Sequence, residues 1–538
     1  MIVPGSSNPL LLASGAGYQI TNSLRFRSNN NANASRTNAS AGSAQRATFS
    51  FWVKRGQIGT GQAVFGVYNI GSNYFYFGFT SANRIVVLEV VTSIQYHLET
   101  SAVFRDPSAW YHIVVAIDTT QATAANRVRI YANGTELTSF STNSPPALNY
   151  NHTYLGANAR VNYIGGNGGL GYLDAHLAKF HYVDGQQLTP ASFGQTDATT
   201  GVWVPKAYTG TYGTLGSLHE FEDATTTTTI VKDTSGNSNG YASSGISVTS
   251  GVTFDQMLDT PTNNYAVMNP LDLSGTAATF QWGNLQVTRS GASFAQAYSS
   301  IAMTSGTWYF EMTAGADVAN LDAGLITGTT NPAANRYLGQ DAYTYAYAPS
   351  GQKVNNATFS AYGNSWTSGD VIGVILDADA GKLWFSKNGT VQASGDPVAG
   401  TNAAFTGLTG PYRFAVDVEN GGICDVNFGQ RAFAYTPPSG FKALSTSNIT
   451  STAVSTSGTF TGNAAADGPF VWTNGNPATL TINGNAVTFG THADKTAGGF
   501  KLRTSSASYN ASGSNSWTAT AGKRFVLSKK PNNAQVNP

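Results

Sequence analysis

The chain of 538 residues is too long for one hydrophobic core and, at about 100–200 residues per domain, points to three or so. Charged residues are only 11%, against about 25% in an ordinary soluble protein, and 29 basic residues balance 28 acidic ones. A net charge near +1 removes the electrostatic case for nucleic acid or an acidic membrane surface, and the single cysteine excludes an intrachain disulfide and a cysteine-based zinc site.

The first stretch, "MIVPGSSNPLLLASGAG" (1–17), has three adjacent leucines but no basic n-region. It reads as an arm, not a signal peptide. With so little cysteine, the chain is expected to fold in a reducing compartment. Apolar runs such as "RIVVLEVV" are strand-length, so no membrane insertion is expected. The N-x-[ST] matches, among them Asn133-Gly-Thr135, are expected by chance in so Asn- and Ser/Thr-rich a chain.

From 18 to 205 the periodic segments have period two. "ATFSFWVKR", "YHIVVAI" and "RVRIYANGTEL" alternate or run apolar over strand lengths and stop at turn residues. Asn133-Gly134 is a two-residue hairpin signal, repeated at Asn388-Gly389 and Asn483-Gly484. Gly166-Asn167-Gly168-Gly169-Leu170-Gly171 fits G-x-G-x-x-G, but "YLDAHLAKFHYV" behind it reads as a strand, so a bound phosphate would lack a helix N-terminus. A glycine-rich surface loop is the better reading. His176 and His181 are five apart and, on a regular strand, point to opposite faces, which forbids a shared metal.

A connector is expected over 206–264, through the polar break "EDATTTTTIVKDTSGNSNGYASSG". It contains "HEFED", His219 to Asp223, where Glu220 and Glu222 on one strand would lie about 7 Å apart, a plausible glycosidase separation. Jelly-roll glucanases use E-x-D-x-(x)-E, and here Ala224 and Thr225 leave the acid/base position empty.

A second sandwich is expected over 265–444. "DAYTYAYAPSG" would place Tyr343, Tyr345 and Tyr347 on one strand face, either as a saccharide platform or, preferably, as core. "GDVIGVILDADAGKLWFSKNGT" pairs Asp377 with Asp379, but a calcium loop counted from Asp377 has Lys382 at its glycine position 6 and Asn388 at its glutamate position 12. A hairpin closed by Gly381 at φ > 0 fits better. Cys424, in "GGICDVNF", reads as a small buried hydrophobe. A small β-module over 455–530 follows the break "YTPPSGFKALSTSNITSTAVSTSG". The fold class is all-β: tandem antiparallel β-sandwiches (jelly rolls) plus a small C-terminal β-module.

"TFSFWVKRG", "RVRIYANGTEL" and "HYVDGQQLTPASFGQTDATTGVWVPKAYTGTYGT" resemble the laminin-G-like, concanavalin-type jelly rolls of bacteriophage structural proteins. "SGTWYFEM", "YGNSWTSGDVIGVILDADAGKLWFSKNG" and "VNFGQRAFAYTPPSGFKALSTSN" resemble the SPRY-type sandwich that follows in such proteins, and "TFTGNAAADGPFVWTN" resembles their small terminal module. The resemblance implies a tail-fibre-like virion protein on the particle surface, synthesised in the host cytoplasm and working as a homo-oligomer among other virion proteins. It implies an adhesin contacting a host surface glycan or protein, with a head or tail decoration protein as the alternative. A polysaccharide depolymerase is disfavoured. No enzyme, cofactor, catalytic residue or metal site is expected.

Overall fold

The computed structural model describes residues 17–449, apart from 70–72, 168, 199 and 274–275, and the strands alone of the C-terminal segment. The leucines expected in an N-terminal arm lie outside the described residues. Residues 1–449 form one compact unit and 450–538 a second. The described regular structure is strand with single 3-10 turns, and among the described residues no helix is long and apolar enough to cross a membrane.

The first sandwich packs two eight-stranded sheets. One runs in the order Thr135–Glu136, Val128–Ala132, Trp110–Asp118, Arg46–Arg55, Ala175–Asp184, Ser23–Phe26, Gln256–Met257, with Ser217–His219 paired to Ala175–Asp184. The other runs Phe140–Ser144, Ser93–Val103, Arg84–Val91, Asn73–Phe79, Gln62–Asn69, Val161–Ile164, Asn33–Thr37, Ala242–Ser244. Alternation selects the inward residues. Phe49 sits at the centre, its ring centroid 4.6 Å from Phe65, 4.7 Å from Tyr182 and 4.9 Å from Phe77. Asn133 and Gly134, at φ 47° and 80°, make the expected two-residue hairpin between Val128–Ala132 and Thr135–Glu136.

The segment expected as a connector contributes strands to both of these sheets. Ser217–His219, Ala242–Ser244 and Gln256–Met257 each pair antiparallel with a strand of the first sandwich. Its polar composition concealed this, because short edge strands need backbone partners and few apolar side chains.

The second sandwich opposes a seven-stranded sheet, from Met268–Leu273 to Thr358–Ala361, to an eight-stranded sheet built around Thr307–Ala314 and Val371–Asp377. Phe310 anchors its core, 4.9 Å from Phe428 and 5.1 Å from Phe414. The Asp377–Gly381 stretch is a hairpin turn: Asp377 Oδ1 accepts the amides of Asp379 at 3.1 Å and Ala380 at 2.9 Å, and Asp377 pairs with Lys382. Gly381 has φ 61°, and a Cβ there would stand 2.3 Å from the Leu408 carbonyl oxygen, so glycine is required twice over. Asn388-Gly389 makes a second hairpin. Cys424 is buried, as expected, and burial pushes its thiol well up, away from the reactive thiolate. The C-terminal unit pairs Ser457–Thr461, Ser514–Ala519, Leu480–Ile482 and Asn485–Ala486 in one sheet and Phe500–Arg503, Phe470–Thr473 and Phe525–Ser528 in another. The residues of the third Asn-Gly signal lie outside the described residues.

Buried ions and backbone groups join the two sandwiches. Lys54, on the outer face of the first, donates to Asp259 Oδ2 at 2.8 Å, Asn264 Oδ1 at 2.8 Å and the Tyr265 carbonyl at 2.6 Å. Asp259 Oδ1 also accepts from Trp110 Nε1 at 3.0 Å and the Tyr265 amide at 3.1 Å. Beside them Arg25 and Arg27 share Asp255 at 3.0 and 2.9 Å. Asp174 accepts the Trp282 and Gly283 amides of the second sandwich at 3.0 and 2.7 Å. Burial drives the Lys54 ammonium down from its ordinary value and Asp259 opposes this, so the charged form depends on its partner. Lys54→Met, which strands the Asp259 carboxylate, is expected to cost about 3–5 kcal/mol in chemical denaturation of the full chain. Adding Asp259→Asn to it is expected to recover much of that loss, and a double variant no better than the single one would contradict the pairing.

Candidate functional site

Two groupings with catalytic potential are quenched by their partners. The first was not legible in the sequence: Ser50 Oγ lies 2.8 Å from His112 Nε2, from directly neighbouring strands. A nucleophile–base pair would need Nε2 unprotonated. Trp203 Nε1 reaches His112 Nδ1 at 2.9 Å, and an indole N–H can only donate. Nδ1 is therefore the acceptor, the proton of the neutral ring sits on Nε2, and the imidazole donates to Ser50. Burial pushes the His112 imidazole down to about 3, which keeps it neutral. The arrangement holds Trp203 over the sheet and does not activate Ser50.

The second is the "HEFED" pair. The strand ends at His219, and Phe221 at φ 60° breaks the alternation, yet Glu220 and Glu222 both reach Lys179, Glu222 at 3.1 Å. Lys179 is itself at φ 47°, in a β-bulge where Ala178 opposes Trp52 and His181 opposes Ser50. Burial works against the Lys179 ammonium, but the bond to Glu220 holds it above its ordinary value. Two carboxylates bridged by Lys179, beside a cavity of about 100 Å³ lined by Glu220, Glu222 and Lys232, make an ion-paired corner, not an acid and a nucleophile.

The same bulge corrects the histidine geometry. One extra residue between Ala178 and His181 reverses the alternation, so His176 and His181 share a face. They still find different partners: His176 Nε2 meets the Gly283 carbonyl at 3.3 Å and His181 Nδ1 the Tyr212 hydroxyl at 2.9 Å. No group of three or more metal-ligating side chains occurs among the described residues. The Gly166–Gly171 loop precedes a strand, as expected, and Asn167 Oδ1 caps it by accepting the Gly169 and Leu170 amides, each at 3.0 Å.

Of the three tyrosines weighed as a platform, Tyr347 is buried and stacks on Phe385 at 5.4 Å, and Tyr345 packs on Phe405 at 5.1 Å, both in the main core. Tyr343 precedes the Thr344–Tyr347 strand and packs against a separate cluster containing Tyr298. The three do not share a face.

An open tyrosine face exists elsewhere. In "NYFYFGF", Asn73–Phe79, the phenylalanines enter the core while Tyr74 and Tyr76 stay half-buried on the outer face of the sheet. Register adds Tyr68 opposite Tyr74, and Tyr163 opposite the Gly66 that also faces Tyr76. The Tyr74 and Tyr76 rings lie 5.6 Å apart at 66°. His97 and Glu99 border them, with Arg84 3.6 Å from Glu99. Burial, with Tyr74 and Glu99 nearby, pushes the Tyr76 phenol up to about 12, so it stays a neutral donor. The sequence signal was the strict Tyr/Phe alternation, in which the hydroxyl-bearing ring marks the wet face.

Two family matches coincide with the two sandwiches: the concanavalin A-like lectin/glucanases superfamily over residues 27–180 and the SPRY domain over residues 307–431. The chain carries a concanavalin A-like domain and a SPRY domain. It is 36% identical over 106 residues to the Arabidopsis thaliana E3 ubiquitin-protein ligase RKP, covering 18% of this chain and 8% of the relative. It is 30% identical over 181 residues to the Xenopus laevis ATP-dependent RNA helicase DDX1, covering 33% and 23%. The chain thus spans under a quarter of either relative. Among solved structures, the SPRY domain of human HERC1 aligns at 16% identity and a TM-score of 0.25, covering 31% of this chain and 99% of that one. The relatives named are eukaryotic and do not bear on a bacteriophage setting.

The quenched pair has a direct readout. A fluorophosphonate probe is expected to leave Ser50 unlabelled, and nitrogen NMR to report a neutral His112 with its proton on Nε2 from about pH 5 to 8. A labelled Ser50 would show the dyad to be active.

Proposed function

We propose that this chain is a non-enzymatic recognition protein that binds a surface glycan through the tyrosine face of its concanavalin A-like domain. The observation that carries the reading is the cluster of Tyr68, Tyr74, Tyr76 and Tyr163 on one outer sheet face, half-buried and backed by a rigid core. Sugar rings present C–H faces that stack on aromatic rings and hydroxyls that need neutral hydrogen-bonding groups, and this face supplies both. The ionised grouping that borders it, Arg84 with Glu99, is internally paired, which favours a neutral over an acidic glycan. The quenched state of the Ser50–His112 and Glu220–Glu222 groups supports binding without turnover.

The setting belongs to the same proposal: a bacteriophage particle surface, with other virion proteins and further copies of this chain as partners, after synthesis in the host cytoplasm. It is supported by the long strand-and-connector motifs that resemble phage structural proteins. A second reading, contact with protein alone, is favoured by one feature of the SPRY domain. Phe359, 48% exposed on the edge strand Thr358–Ala361, lies 5.7 Å from Tyr337, which in turn lies 5.6 Å from Phe294. Aromatic rings of this kind serve as anchors in protein contacts.

Glycan-array binding followed by calorimetry separates the readings. Tyr74→Ala and Tyr76→Ala are each expected to weaken glycan binding about tenfold, with the melting temperature little changed because both rings are on the wet face. No reducing ends are expected from the bound polysaccharide. Binding that survives both substitutions but falls with Phe359→Ala would favour the protein-contact reading, and released reducing ends would overturn the non-enzymatic one.

A further inference from the structure

Two carboxylates stand side by side on the outer face of the SPRY domain's seven-stranded sheet. Asp322, on Leu321–Thr327, is directly opposite Asp417, on Tyr412–Val418, and Gln296 flanks Asp417 from the other side. Asp417 and Gln296 are fully buried and Asp322 is 8% exposed. Among the described residues no ion pair reaches either aspartate. Arg413, on the same strand as Asp417, is held by Asp272 and by Asn331 Oδ1 at 3.0 Å.

The loop of residues 328–343 closes over this pair. The Leu338 amide donates to Asp417 Oδ2, and Gln296 Nε2 donates to the Arg336 carbonyl at 2.9 Å. Leu338 is wholly buried against Tyr298, Ile326, Val354 and Ala415. Asp417 Oδ1 is buried and receives no donor from any other residue. Two ionised carboxylates cannot coexist in such a place without a cation, so one must keep a proton and give it to the other as a hydrogen bond. Because Asp417 accepts the Leu338 amide, Asp417 is the ionised member and Asp322 the acid.

We propose that the loop of residues 328–343 is a proton-latched lid, held closed by the one proton that Asp322 shares with Asp417. The opening step is simple acid dissociation: hydroxide takes the Asp322 carboxyl proton as water and leaves two carboxylate charges facing each other under the loop. Their repulsion is relieved when Leu338 lifts and solvent enters. The surroundings reinforce the latch. Tyr298 and Arg413 face the pair from the sheet, with Glu419 beyond the strand end and Cys424 from the opposed sheet. Asp272 comes from Met268–Leu273, and Arg336, Tyr337, Asp341 and Tyr343 belong to the loop. Only the two arginines are cationic, and Arg413 already has its partner.

Burial raises the Asp322 carboxyl well above its ordinary value, and the neighbouring Asp417 charge raises it further; burial also raises Asp417. With the folded values above the unfolded ones, the closed loop is favoured below the ordinary carboxylate range. That advantage is lost as pH rises through the raised values.

Trypsin cleavage after Arg336 in the intact chain, normalised at each pH to a small peptide substrate, reads the lid. As pH rises above about 7, the wild-type rate is expected to climb by up to about tenfold per pH unit, the slope set by release of one proton. Asp322→Asn, whose amide still donates to Asp417, is expected to hold that rate low and flat. A flat wild-type rate, or a variant that climbs in parallel, overturns the latch. Should the variant misfold, hydrogen exchange on the wild-type chain decides. Protection of the Leu338 amide is expected to fall over this range while that of Val374, deep in the opposed sheet, persists, and unchanged Leu338 protection overturns the proposal.

Discussion

The architecture of the first 449 residues depends on a handful of charges removed from water between two sandwiches. Lys54 and Asp259 are both wholly buried, as are Arg25 and Asp255. Each ion would be prohibitive alone, so each enforces the position of its partner. Asp255 and Asp259 sit at either end of the short Gln256–Met257 strand. That strand is thereby fixed against the first sandwich, while the following residues Asn264 and Tyr265 engage Lys54 and lead into the second. An apolar contact of equal area would tolerate sliding. This ionic one does not, and it ties the two sandwiches into one compact unit.

The same economy of charge governs what the protein can do. In a chain with only 11% charged residues, many of the ions are committed to buried partners, and the exposed surface relies on neutral polar groups. Such a surface suits recognition by stacking and neutral hydrogen bonds better than electrostatic steering. The tyrosine face follows the rule. Rings of four tyrosines line it, and its few ionised groups are paired with one another.

Proximity of reactive side chains is therefore a poor guide here, and the direction of each proton is a better one. Ser50 and His112 are close enough for catalysis, but the Trp203 indole assigns the imidazole the wrong tautomer. Glu220 and Glu222 converge, but on one lysine. Among the described residues Asp322 and Asp417 converge with no ion pair to either, and it is this difference on which the proposed response to pH rests.

Much of the fold was legible in the sequence because strand periodicity and turn chemistry are local. Alternation of apolar and polar residues, Asn133-Gly134, Asn388-Gly389 and the Asp377–Gly381 turn each depend only on the backbone preferences of a few neighbours. What tertiary structure alone decided is non-local. The polar segment after residue 205 joins the first sandwich because its backbone finds open sheet edges, which its composition does not advertise. The bulge at Lys179 inverts a face that regular alternation assigned to His181. The Tyr343, Tyr345 and Tyr347 series splits because its strand begins one residue too late for the first of them. Asp322 meets Asp417, 95 residues away in sequence, only when their strands pair in register. Sequence fixes which face a residue prefers; register and irregularity, set by the packing of the whole sheet, decide which residues meet.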